Sequence, residues 1–148
     1  MISLDKYLYR TNVSFSDYEF ESIGIKGIIK KVARFNIIET DIYNFGFGDL
    51  NEKTGEISDT IISNNGDGDK VLGTVANIIY DFTDVFTGAA VFIQGTTDSR
   101  TRRYQMGISK YWEQIGQVFE VYGLRKDDKW ELFKKNENYK AFLGRRKT

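Results

Sequence analysis

A chain of 148 residues, 41% hydrophobic and 28% charged, is long enough to bury one core and has the balance of an ordinary globular protein. Its formal net charge is +0, so no global field draws it to nucleic acid or an anionic membrane, and no apolar run approaches the roughly 18 residues that span a bilayer. The absence of Cys and His excludes disulfides, thiol nucleophiles, Cys-ligated zinc and Ser–His triads.

Any catalysis therefore falls to carboxylates, Tyr, Lys, Arg, backbone amides or a bound cofactor. The opening Met1–Lys6 is too polar for a secretory signal. The expectation is a single domain, residues 1–148, in the cytoplasm, with no metal site and no membrane partner. Proline is also absent, which carries no functional meaning that we can assign.

In chain order, Met1–Asp17 is mixed, with Leu4, Tyr7 and Leu8 forming a short lead-in. Tyr18–Ile23 reads as a strand, Gly24–Gly27 as a turn and Ile28–Phe35 as the returning strand. Lys30, Lys31 and Arg34 occupy its polar positions, where charge protects an edge strand or, alternatively, meets a ligand. Ile42–Gly48 alternates aromatic with small or polar residues, so it is a half-buried strand. Gly46 and Gly48 fall opposite the aromatics, a mark of close approach by a helix, another backbone or a ligand.

After the turn Asp49–Gly55, Glu56–Ile62 reads as another strand, followed by the polar loop Ser63–Asp69. Val71, Leu72, Val75, Ile78, Ile79, Phe82, Val85 and Phe86 then recur at helical spacing and predict a helix over Lys70–Phe86, capped by Asp69 or Asp67. A hairpin turning at Asn65-Gly66 is the rival, but the residues beyond that turn are helical in period. Ala89–Gln94 is the next strand. Gly95-Thr96-Thr97-Asp98 leads into a second helix carrying Arg100, Arg102, Arg103 and Tyr104. Phe119–Tyr122 and Trp130–Phe133 read as a hairpin, and the chain closes on a basic tail from Gly144 that either is solvated or grips phosphate.

The predicted fold is α+β, a mixed and mostly antiparallel sheet around a central β-α-β-α unit. If Glu56–Ile62 and Ala89–Gln94 are adjacent, the intervening helix makes them parallel with a right-handed crossover. Both following loops then share the carboxyl edge, where such sheets bind ligands. Asn64, Asn65, Gly66 and Gly68 would face Thr96, Thr97 and Arg100 across one crevice.

Three arginines in the first turn of a helix oppose its dipole by typically 0.3–1 kcal/mol each when exposed. Either a bound anion offsets them, or carboxylates such as Asp98 and Asp84 do. At 100° per residue, Arg100, Arg103 and Tyr104 share a face while Arg102 points elsewhere. The loop fails as a calcium site, since the spacing puts Lys70 where Gly is needed and Ala76 where Glu is needed. It remains open between a phosphate cradle on the Gly66 and Gly68 amides and a capped loop without a ligand.

Tyr43–Asp49, Asn64–Asp67 with Lys70–Ala76, and Gly95–Tyr104 resemble an uncharacterised bacterial protein family found mostly in Bacteroidetes, which implies a shared fold and no particular activity. The element order is also similar to that of the GNAT acetyltransferases. Their coenzyme A loop, Gln/Arg-x-x-Gly-x-Gly/Ala, is matched by Ser63–Gly68 at both glycines and departs at Ser63, and the region before the antiparallel strands is shorter than their paired helices. That resemblance implies acetyl-CoA as cofactor and Tyr104 as the acid that protonates the leaving thiolate.

The expected function is a crevice for a phosphate-bearing small molecule, in its sharper form an acyl-CoA-dependent N-acyltransferase with Asp49 as base through water. Two alternatives stand beside it. One is a non-catalytic protein-interaction module of a bacterial defence or toxin–antitoxin system. The other is a small ribonuclease using Arg100, Arg103, Tyr104 and the basic tail, which the neutral charge disfavours.

Overall fold

The computed structural model describes residues 2–58 and 65–148. The alternating segments form an antiparallel meander of β1 (Arg10–Thr11), β2 (Asp17–Gly24), β3 (Gly27–Glu39) and β4 (Ile42–Leu50). Tyr18 lies opposite Ala33, and Phe35 opposite Phe45, so one face of the meander is lined with buried aromatic side chains. The stub β5 (Ile57–Ser58) pairs with the end of β4, and α1 (Gly68–Val85) follows. Next come β6 (Ala90–Ile93), α2 (Asp98–Lys110), α3 (Trp112–Val118), β7 (Phe119–Arg125), β8 (Trp130–Leu132) and β9 (Tyr139–Arg146). The nine-stranded sheet runs β1-β2-β3-β4-β6-β9-β7-β8, with β5 beside β4, and the architecture is α+β.

Among the described residues one parallel pair interrupts the antiparallel order, and it differs from the expected one. The partner of β6 is β4, in register from Ile42 with Ala90 to Phe45 with Ile93. Residues 57–58 instead pair antiparallel with Asp49 and Leu50, and the rest of the expected strand, 59–62, lies outside the described residues. The helical crossover thus begins from an earlier strand. Gly48 shows why β5 can lie where it does: a Cβ there would stand 2.6 Å from the Ser58 carbonyl oxygen. Of the readings for that glycine, close approach by another backbone is the one realised.

The apolar stripe of α1 covers the aromatic face. Val75, Ile78 and Phe82 pack among Tyr18, Phe20, Phe35, Phe45 and Val91, and Phe82 stacks on Phe35 with ring centroids 3.8 Å apart. A second cluster, Phe119, Val121, Phe133, Tyr139 and Phe142, packs with Ile2, Trp112 and Ile115. Both lie on the same side of the sheet, because Phe45, Ile93, Phe142 and Gly123 are successive cross-strand neighbours. Residues 2–9 run across α1. The Tyr7 amide donates to Thr74 Oγ1 at 2.9 Å, and the Asp5 carbonyl lies where a side chain on Gly73 would be.

Two further expectations change. β3 is an inner strand, so its cations do not guard an edge: Lys31 is buried against Asp49, and Arg34 grips both carboxylate oxygens of Asp17 at 2.9 and 3.0 Å. The basic tail is not loose, because Gly144–Arg146 belong to β9, inserted between β6 and β7, although Arg145, Lys147 and Thr148 stay exposed. Arg145 pairs with Glu120, and the Arg146 guanidinium lies 3.7 Å from the Tyr80 ring centroid. Among the described residues no helix is long and apolar enough to cross a membrane.

Candidate functional site

The parallel pair opens a cleft. β4 and β6 keep register only as far as Phe45 and Ile93, and β5 rejoins the same edge of β4 at Asp49. Between those points the chains part around a cleft of about 1390 Å³. Residues 44–49 line it along β4, with residues 67–69 at the start of α1, residues 94–96 after β6, much of α2, and the turn 135–138 between β8 and β9. This is the carboxyl edge of the parallel pair, the location expected for a ligand, reached through β4.

The wall made by α2 is fixed by small residues. Thr97 caps the helix, its Oγ1 accepting from the Arg100 amide at 3.3 Å. Buried Thr101 accepts from the Gly95 amide at 3.0 Å. A Cβ on Gly95 would lie 2.5 Å from both Arg100 Cβ and the Thr101 nitrogen, so only glycine lets the first turn sit this close to the strand end. Further along, Gly107 admits the Leu72 side chain of α1.

Arg100, Arg102, Arg103 and Tyr104 all line the cleft, and the Tyr104 ring meets Phe45 edge-on at 6.2 Å. Among the described residues none of the three guanidinium groups forms an ion pair; Asp84, a candidate partner from the sequence, is held by Arg146.

The loop before α1 is organised for a different purpose from the one its glycines suggest. Asn65, 2% exposed, clamps the tip of the β2–β3 hairpin. Its Nδ2 donates to Ser22 Oγ at 3.1 Å and to the Gly27 carbonyl at 3.0 Å, its Oδ1 accepts from the Lys26 amide at 2.6 Å, and its carbonyl accepts from the Ile25 amide at 3.1 Å. Gly66 supplies the left-handed turn, φ 80°, that leads into the helix. Asn65 and Gly68 line the cleft, whereas Gly66 and Thr97 do not; Asn64 lies outside the described residues.

Asp67, at the N-cap position, makes no side-chain cap. Its Oδ2 accepts from the Tyr7 and Ser22 hydroxyls, each at 2.6 Å. Burial pushes this carboxyl up, but the Ser22 and Tyr7 hydroxyls, its own amide and nearby Lys31 together pull it below its ordinary value. The same contact, with burial leading, raises the Tyr7 phenol. Asp69 pairs with Lys110 at 2.7 Å. Both loop carboxylates that would repel an anion are therefore engaged by the protein itself.

Asp49 sits at the far end of the β4 lining, with Lys31 Nζ 2.5 Å from its Oδ1. Six cationic and four acidic side chains line the cleft, an excess of two cations. Lys31, read from the sequence as guarding an edge or meeting a ligand, shares the alternation parity of Ala33 and Phe35, which marks it as facing the aromatic side. Lys135 had no such signal, because the turn that carries it reaches the cleft only through tertiary folding. Among the described residues no group of three or more carboxylates is placed to hold a metal ion.

No curated protein and no solved structure matches the chain significantly. One family does: the family of unknown function DUF6934 matches residues 3–147, nearly the whole chain, and the chain belongs to that family.

Proposed function

We propose that the cleft binds a phosphate-bearing small molecule and that this ligand is an acyl-CoA, which makes the protein an N-acyltransferase. The observation that carries the proposal is the set of α2 arginines lining the cleft without a carboxylate partner among the described residues. Three such cations near a helix start carry a standing cost unless an anion meets them. The volume exceeds what a lone phosphate needs and suits an extended ligand. The acyl-CoA identity draws on the resemblance of the element order to that of the GNAT acetyltransferases, and on the edge of β4 between its pairings with β6 and β5, where an amide-bearing arm can lie alongside backbone.

In this reading the cleft aligns an amine with the thioester carbonyl, and positioning supplies most of the acceleration. The nitrogen attacks the carbonyl carbon, a C–N bond forms, and the C–S bond breaks to release the thiolate. Tyr104 gives its proton to that thiolate. Asp49 takes the proton lost from nitrogen through a water molecule.

Thermal unfolding with coenzyme A and acetyl-CoA tests binding. A true ligand stabilises by about 2.7 kcal/mol at a hundredfold excess over its Kd. Arg100→Ala should abolish that shift while leaving the ligand-free protein as stable as before, or slightly more so. A variant that is destabilised on its own and indifferent to ligand would show the arginine to be structural and sink the proposal.

A further inference from the structure

Arg102 is the arginine that helical geometry separates from Arg100 and Arg103, yet it lines the same cleft. Its surroundings follow from Gln105, one turn along α2 on the same face. Gln105 Nε2 donates to the Glu137 carbonyl, and its Oε1 accepts from the Tyr139 amide at 3.2 Å. That face of α2 is therefore strapped to the turn between β8 and β9, and the turn brings Lys135 and Asn136 to the cleft. Neither Arg102 nor Lys135 has an ion-pair partner among the described residues. The turn's one acidic side chain, Glu137, leaves Arg102, Lys135 and itself with a net charge of +1.

We infer that Arg102 and Lys135 form a second anion subsite, separate from that of Arg100 and Arg103, so that the cleft selects ligands carrying phosphate at two separated positions. This rests on the binding reading above and sharpens it. Coenzyme A carries a diphosphate and, apart from it, a phosphate on its ribose; dephospho-coenzyme A keeps only the first. A guanidinium and an ammonium on one phosphate give charge-assisted contacts that the dephosphorylated ligand cannot make.

Titration calorimetry with the full chain should show coenzyme A binding roughly tenfold tighter than dephospho-coenzyme A. Arg102→Ala and Lys135→Ala should each reduce that ratio toward one, because each costs coenzyme A more than it costs dephospho-coenzyme A. Both side chains are exposed, so the variants keep the fold. Equal wild-type affinity for the two ligands overturns the second subsite and leaves the binding reading intact, as does an equal loss of both ligands in the variants. Failure of both ligands to bind the wild-type protein overturns both readings.

Discussion

Removing the Asn65 side chain tests whether the loop before α1 is built around the hairpin. Asn65→Ala deletes three side-chain hydrogen bonds, two donated to Ser22 Oγ and Gly27 O and one accepted from Lys26 N. Each is worth about 1 kcal/mol net. Part is recovered, because Lys26 and Gly27 sit at an exposed tip and Ser22 keeps its bond to Asp67. The expected loss is about 2–3 kcal/mol, a fall in Tm of roughly 4–12 °C for a domain of this size.

Asn65→Asp keeps the size and the acceptor but turns a carboxylate oxygen toward the Gly27 carbonyl. At neutral pH it should cost at least as much. Its introduced carboxyl, raised in the folded state, regains stability below the unfolded value of about 3.9 and loses it as pH rises through the folded value. Urea unfolding at pH 7 and pH 4, with amide exchange read at Ile25 and Lys26, measures both effects. Unchanged midpoints and unchanged exchange at those two amides would refute the clamp.

Two further outcomes can be measured alongside. Phe82→Ala removes the 1%-exposed ring stacked on Phe35 and should cost about 3–5 kcal/mol by denaturant unfolding, with little loss if the site collapses around the cavity. Tyr7→Phe removes one of the hydroxyls that hold the Asp67 carboxyl below its ordinary 3.8. A depressed carboxyl stabilises above its unfolded value and loses that contribution as pH falls through the folded value. The gap in Tm between wild type and variant should therefore be full at pH 6 and narrow in acid; a constant gap would assign the loss to something other than Asp67.

The helix α1 was legible because eight apolar residues repeat at one period, and the meander because its aromatic alternation survives in a single strand. Strand adjacency was not legible. The parallel partner of Ala90–Ile93 could be any preceding strand, and local pattern does not distinguish Ile42–Leu50 from Glu56–Ile62. The crevice inferred from Glu56–Ile62 falls with that pairing; the cleft of the structure lies instead where β4 runs on past its register with β6. Helix phase grouped Arg100, Arg103 and Tyr104, which line the cleft, but wrongly set Arg102 apart from it. Asn65 was read for its neighbouring glycine, whereas its bonds reach back about 40 residues to a hairpin that no local signal connects to it.

The position of β9 has a consequence for the order in which the molecule is assembled on the ribosome. Of the nine strands it is synthesised last, yet it lies between β6 and β7 and joins the two halves of the sheet. During elongation, at about 5–20 residues per second, β6 keeps an open edge on one side and the β7–β8 hairpin lacks its neighbour in the sheet. The Tyr139 amide that meets Gln105 also arrives with β9. The nascent chain thus carries an unpaired edge, a template for misassociation, until residues 139–146 emerge, and a chain truncated before Tyr139 would keep only the Glu137 half of the link between α2 and the far wall of the cleft.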